Sequence, residues 1–408
     1  MPFASSAFGQ LRYIQEATQG VIPGAGNALN LRMLTPSLKA SLATVKSQEI
    51  RADRLSTGQT RTDLDVDGGF NFELSAREYD PFLEGVLSSA YAHHGVGGLG
   101  AVFGATTAAS TITAAVALTG ASAFTTLAVG SWFKVVPPVA ATAAVRAYFA
   151  NRWFKVLSTT ATTITLDPST PIVAPGLGIT AAAGYAISQS TMSNGSVARS
   201  FAMEYLMTDI SQVLTYTGMR PNTMEMSMEV GSIITGSFGF TGMGHTIQPT
   251  TRLPGTPAAS QPFEVMNSVT DVGAIYEGGQ SILTGSSSFI KSVSLSINNN
   301  ARGQKAIGVF GNADVGLGEL ELSGNIEMYV ENATYYNKWL QGTTSSLVLG
   351  VADSAGNGYL IEFDKINYTD GGMNPGGRAD DTMLSLPFSA FFNAATNRGI
   401  RITRAVVA

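Results

Sequence analysis

GGFNFELSAREYDPFLEG, Gly68 to Gly85, and GNIEMYVENATYYNKWLQG, Gly324 to Gly342, lie about 256 residues apart and read as one pattern written twice. Each opens on a glycine and continues with period-2 alternation, the mark of a half-buried strand. Phe70, Phe72 and Leu74 point one way in the first stretch; Ile326, Met328 and Val330 do so in the second. Each then reaches a residue suited to cap a helix, Ser75 or Asn332, and Glu78 completes a capping box in the first. Tyr79, Phe82, Leu83, Val86 and Leu87 follow at helical spacing and predict a short amphipathic helix. Tyr336, Trp339 and Leu340 repeat the first part of that stripe, and Gly342 supplies a stop. The spacing predicts a strand–helix unit present in two copies.

The likeness extends outward on both sides. Downstream of the first helix come SFAMEYLMTD (Ser200–Asp209) and TMEMSMEVGSIITGSFGFTG (Thr223–Gly242). Downstream of the second come SLVLGVADSAGNGYLIEFDKINYTDGG (Ser346–Gly372) and DTMLSLPFSAFFN (Asp381–Asn393), with Tyr216-Thr217 and Tyr368-Thr369 read as matching pairs. Upstream, LKASLATVKSQEIRADR (Leu38–Arg54) matches VSLSINNNARGQKAIG (Val293–Gly308) more loosely. Residues 98–196 interrupt the first copy and carry Trp-Phe-Lys-Val twice, at 132–135 and 153–156, enough strand for a small β domain. The Pro-, Thr- and Ala-rich run Gln248–Gln261 reads as a connection. The expected division is 1–97 with 197–247 as the first unit, 98–196 as an outward-facing insert, 248–284 as linker and 285–408 as the second unit. The fold class is mainly β: two tandem sandwich or barrel units, each with a short flanking helix, plus the inserted β domain.

Composition narrows the function classes. Apolar residues make up 44% of the 408, enough for a real core, whereas charged residues are only 13%. A soluble chain so poor in charge is expected to hide much of its surface against neighbours. The net charge of −5 and the lack of a basic stripe argue against a protein that grips nucleic acid. Cysteine is absent, which excludes disulfides and thiolate metal sites. The opening MPFASSAFGQLRYIQEATQG lacks the pattern of a secretory signal. Gly85–Trp132 carries no Asp, Glu, Lys or Arg, but its short Thr, Ser, Gly and Ala pieces are not an apolar span, so no membrane insertion is expected.

Catalytic signatures are weak throughout. DLDVDG, Asp63 to Gly68, resembles the start of a calcium loop but has Leu74 where the bidentate Glu belongs. GVGGLG, Gly95 to Gly100, fits G-x-G-x-x-G by letter only and reads as a hinge. His93, His94 and His245 form no ligand spacing, and no pair of carboxylates is marked as acid and base. No enzyme activity, metal or cofactor is expected.

At this point a family resemblance enters. LKASLATVKSQEIRADR, GFNFELSAREYDPFLEGVL, YTGMRPNTMEMSMEVGSIITGSFGF, SLSINNNARGQKAIG, GNIEMYVENATYYNKWLQG and DTMLSLPFSAF are similar to the tail tube (major tail) proteins of siphophages. The resemblance covers most of the chain outside 98–196. It implies a virion protein made in the host cytoplasm, whose rings stack into a hollow tube that conducts double-stranded DNA. Two copies per chain imply homotrimeric rings. Tail terminator, tail tip and tape measure proteins are the implied partners. Arg51, Arg54 and Arg61, with Arg302 and Lys305 in the second copy, are the expected inter-ring contacts. Asp65, Asp67, Glu73, Glu319, Glu321 and Glu327 are candidates for an acidic lumen, and Tyr79, Phe82, Leu83, Tyr336, Trp339 and Leu340 for helix-to-sheet packing. The rival readings are a tail sheath, a decoration protein or an adhesin.

Overall fold

Period-2 alternation dominates the computed structural model, which describes residues 3–94, 96–100, 111–114, 123–172, 185–283, 290–375, 378 and 380–407. The first half runs through β1 (Gly9–Glu16), β2 (Lys39–Lys46), β3 (Gln59–Glu73), helix α1 (Asp80–Val86), β4 (Ser200–Met207), β5 (Gln212–Glu229), β6 (Thr235–Gly242) and β7 (Gly244–Gln248). The second half runs through β8 (Val272–Glu277), β9 (Ile290–Asn298), β10 (Glu321–Tyr329), helix α2 (Thr334–Leu340), β11 (Ser345–Ala352), β12 (Gly358–Tyr368), β13 (Met383–Ala390) and β14 (Ile400–Ala405).

Pairing follows one scheme in both halves, all of it antiparallel. In the first, β1 pairs β4, β4 pairs β5, β5 pairs β6, β6 pairs β3, β3 pairs β2, and β7 returns to β5. In the second, β8 pairs β11, β11 pairs β12, β12 pairs β13, β13 pairs β10, β10 pairs β9, and β14 returns to β12. The halves then join edge to edge: Thr223–Glu229 of β5 pairs Asn298–Ser292 of β9. The result is a continuous open layer in the order β2-β3-β6-β5-β9-β10-β13-β12.

A second layer, formed by β1, β4, the start of β5 and β7, and by β8, β11, the start of β12 and β14, closes the core. In the first half Phe70, Phe72, Phe238 and Phe240 meet Tyr13 and Phe201 across α1, whose Phe82 is fully buried among them. Each such aromatic contributes about 1.5–3 kcal/mol of transfer free energy. In the second half Ile326, Met328, Leu386 and Phe388 face Leu347, Leu349, Val351, Phe363 and Ile402.

The insert is a small closed barrel of six strands, Val96–Gly100, Thr111–Ala114, Trp132–Val136, Phe154–Thr159, Thr163–Leu166 and Tyr185–Ser188, with a helix at Ala143–Ala150. Its core gathers Phe133, Phe149, Phe154, Ile164 and Ile187. Trp132 and Trp153 leave that core and pack on Ala274, Val348, Leu360 and Ala405, on the outside of the second half's outer layer. Ser190–Ser193 leads out of the barrel by pairing with Arg401–Arg404 of β14.

Local details depart from the expected ones for identifiable reasons. α1 starts at Asp80, with Tyr79 at the cap position and Pro81 in its first turn, where a missing N–H costs nothing. Ser75 instead bridges Val265, and the Glu78 carboxylate receives the backbone N–H groups of Arg32 and Gln261. Asn332 accepts the Thr334 N–H at 2.9 Å, one residue earlier than the cap position at Ala333. Gly342, at φ +61°, ends α2 in the left-handed conformation. Val96–Gly100 of the GVGGLG stretch is a barrel strand, not a hinge, and Gly95 lies outside the described residues. β8, within the expected linker 248–284, is a strand of the second half's sheet.

Candidate assembly surfaces

The eight-stranded layer turns its apolar side chains to the core, so strict alternation forces the intervening residues onto one opposite face. That face carries Asp63, Asp65, Asp67, Asn71 and Glu73 on β3, and Thr235, Ser237 and Thr241 on β6. It continues with Thr223, Glu225 and Ser227 on β5, then Ser292, Ser294, Ser296 and Asn298 on β9. Glu321, Ser323, Asn325 and Glu327 on β10 and Ser385 and Ser389 on β13 complete it. A shallow trough lined by Asn71, Glu225, Ser227, Ser237, Ser294 and Ser296 follows the seam. The residues singled out as acidic candidates within the strands, Asp65, Asp67, Glu73, Glu321 and Glu327, share this face; Glu319 sits just before β10 in the same register.

Cations neutralise only part of this surface. Lys39 reaches Asp67 at 3.4 Å, Lys291 reaches Glu327 at 3.5 Å, and Lys305 lies between Asp63 at 2.8 Å and Asp65 at 2.6 Å. Among the described residues Glu73, Glu225, Glu319 and Glu321 have no ion-pair partner. The Lys305 hydrogen bond holds the Asp63 carboxyl below the usual carboxylate range. Desolvation alone would lower the Lys305 ammonium, but its bonds to Asp63 and Asp65 outweigh this and raise it.

Lys305 belongs to a hairpin, Arg302–Lys305 with Asn312–Gly316, that leaves the second half and clasps the first. Asn312 is buried and donates to the Gly242 carbonyl at 2.7 Å; Val315 is fully buried, and Arg220 donates to its carbonyl. At the hairpin's base Asn299 donates to the Val86 carbonyl at 2.8 Å and to Pro221 at 3.2 Å. The matching connection in the first half, residues 47–58, stands away from the molecule with Ile50 and Leu55 exposed. Arg51 there pairs with Asp53 of the same loop, Arg54 is exposed, and Arg61 lies on β3 instead of in the loop.

The two helices differ in the same sense. Tyr79, Phe82 and Leu83 are all buried, and the α1 terminus reaches across the seam: the Tyr359 hydroxyl donates to Asp80 at 2.7 Å, and Arg404 pairs with the same carboxylate. No residue of α2 is buried. Tyr336 and Trp339 are half-covered, with ring centroids 5.3 Å apart, and Leu340 is 64% exposed. The Asp80–Tyr359–Arg404 junction is invisible in the sequence, because its members lie about 280 and 324 residues apart.

Chain-wide comparison assigns this two-layer assembly scaffold. Residues 8–390 match the family described as phage tail tube protein. The chain belongs to that family. A search of curated proteins finds no match. The tail tube family is structural, and its members form the virion tail. No group of three or more His, Asp or Glu side chains able to hold a metal occurs among the described residues of this tail tube protein, and none of its described helices is long and apolar enough to cross a membrane. His93 shares a 3.0 Å hydrogen bond with Ser190, and His245 lies against the Tyr216 ring, where burial lowers its pKa.

Proposed function

We propose that the chain carries the tube-forming unit twice and that three chains close into a ring with six such units. The observation that carries this reading is the internal seam. There β5 of one unit pairs with β9 of the next over seven residues, and the layer continues without a break. The two ends of the layer are the counterparts of that pair. β2 corresponds to β9 and has no partner on its outer side among the described residues; the strand Gly372–Asn374, paired to β13 on one side only, corresponds to the end of β5. An unpaired edge invites another strand, and ring closure removes it. β2 also keeps Leu42, opposite Leu64 on the layer's apolar side, 51% exposed, and Val45, on the other face, 56% exposed, as an edge awaiting cover would.

Closing the ring in this way turns the polar face inward. A lumen lined by Ser, Thr, Asn and acidic side chains repels phosphate, so double-stranded DNA of a siphophage passes without being held. Rings then stack, with the exposed hairpin tip at Ile307 and Phe310 available to the next ring. The inserted barrel, seated on the outer layer, stays outside the channel. Electron microscopy of the purified chain tests the reading: tubes with a central channel and threefold rings are expected. Leu42→Glu with Val45→Glu is expected to leave a folded monomer that forms no rings. Rings from that variant, or a wild-type chain monomeric at high concentration, would overturn the proposal.

A further inference from the structure

The clasp that locks the internal seam has an unfilled counterpart at the other end of the layer. Strand register sets the correspondence: Phe240 stands opposite Gly68, and Phe388 stands opposite Gly324. Counting back along β3 and β10, Asp63 corresponds to Glu319 and Asp65 to Glu321. Counting forward along β6 and β13, Gly242 and Met243 correspond to Ala390 and Phe391. The first set is covered: Lys305 bridges Asp63 and Asp65, and Asn312 docks on Gly242. The second set is bare. Glu319 and Glu321 are exposed and lack a cation, and Phe391 and Phe392 are exposed. Pro221 opposite Phe240 corresponds to Tyr368 opposite Phe388, so Arg220, which grips the clasp through Asp314 and the Val315 carbonyl, corresponds to Asn367. The Oδ1 atom of Asn367 is buried without a hydrogen-bond partner.

We propose that the 47–58 loop of one chain clasps the Glu319–Glu321 and Phe391–Phe392 surface of the next chain in the same ring. The occupant is a second copy of this chain, because the loop occupies the clasp's place in the first half and has matching chemistry. Register matches Ala40 opposite Val66 with Ile297 opposite Leu322; Arg54 stands fourteen residues beyond that point and Lys305 eight, so the first-half loop is long enough to reach as far as the clasp. Lys46 and Arg54 supply charge, and Ile50 and Leu55 supply exposed apolar surface. The bare site pairs two carboxylates with two exposed aromatics, which is the complement of that set. This contact is lateral, within a ring, and distinct from the stacking of one ring on another. It rests on the ring reading above.

Charge reversal on each side tests it. Glu319→Lys with Glu321→Lys, or Lys46→Glu with Arg54→Glu, is expected to raise the concentration at which assembly begins by about tenfold, read by light scattering and electron microscopy. Combining all four should restore the onset to within roughly threefold of wild type, since the charges then attract again. All four positions are exposed, so thermal unfolding of the unassembled chains should match wild type. Because the chain has no cysteine, Arg54→Cys with Glu321→Cys should give covalently closed trimers on oxidation. Reversed variants that assemble like wild type, a combination no better than its parts, or oxidation yielding no linked chains in protein that forms rings would each overturn the clasp alone. A wild-type chain that forms no rings would overturn the ring reading with it.

Discussion

The junction between β5 and β9 and the free ends of the same layer are built from corresponding parts, yet one is covered and the other open. At the covered junction α1 is buried, Asp80 is held by Tyr359 and Arg404, and Asn299 ties the clasp to Val86 and Pro221. At the open end α2 has no buried residue, and Leu42, Val45, Phe391 and Phe392 face solvent. An amphipathic stripe therefore tells which residues are fit for burial, and the neighbouring sheet decides whether they are buried. In this fold the neighbour is part of the same chain once, and in the proposed ring it is another chain the next time.

Truncating each helix should separate the two states most strongly. Phe82→Ala removes a fully buried ring packed on Tyr13, Phe70, Phe201 and Phe238, and should cost the unassembled chain about 4 kcal/mol in denaturant unfolding. Trp339→Ala in α2 should cost about 1–2 kcal/mol there, because the ring is only half-covered. Its larger effect should appear in assembled rings, whose dissociation it should promote. Equal losses in the unassembled chain would break the comparison. Next in size is Asp80→Ala, which strands Arg404 and the Tyr359 hydroxyl and should cost about 3 kcal/mol. Asn337→Ala, at the matching place in α2, should change the same measurement by less than about 0.5 kcal/mol.

Much of this was legible in the residues themselves. Alternation around Phe70–Leu74 and Ile326–Val330 placed both long strands, and the same parity put the acidic candidates on one face. What escaped depended on distant partners. Ser75 looks like a cap, but Pro81 moves the helix start downstream and Ser75 bridges Val265. The Tyr-Thr pairs look equivalent, yet register sets Tyr368 opposite Phe388, where the first half has Pro221 opposite Phe240, so Tyr216 belongs elsewhere along its strand. β8 has only a short return at Gln280–Ser281 nearby and takes most of its pairing from β11, some 70 residues on. Nor does a Trp-Phe-Lys-Val repeat reveal that one of its lysines is buried.

That lysine extends the comparison to the outer layer. The first half covers its outer face with its own chain, through Ala28, Ala202 and Leu253; the second uses the inserted barrel. Burial against that face pushes the Lys134 ammonium down to about 7, while its Nζ donates to the Ala150 carbonyl and lies 5.0 Å from the Trp153 ring centroid. Between pH 7 and the ordinary lysine range the unfolded chain binds more protons than the folded one, so stability should rise with pH across that window. Below it the cost of burial is present in full. Lys134→Met should stabilise the chain at pH 7 by on the order of 2 kcal/mol and flatten that rise. A variant that keeps the wild-type slope from pH 7 to 9 would place the titration elsewhere.

The smallest effect speaks most directly to the clasp. Lys305→Ala removes a cation that is partly exposed, so the loss at neutral pH should be about 1 kcal/mol or less, read as a small drop in melting temperature. The pH dependence of that difference carries the information. Because Lys305 holds Asp63 below the usual carboxylate range, its contribution is present above the unfolded pKa and fades as acid protonates the folded carboxylate. Wild type and Lys305→Ala should therefore converge below about pH 4. If the gap instead persists unchanged into acid, the clasp is held by the burial of Val315 and the Asn312 bond to Gly242, with charge secondary. The open counterpart would then be expected to depend on Ile50 and Leu55 meeting Phe391 and Phe392 more than on Glu319 and Glu321, and assembly would respond to apolar truncation and little to salt.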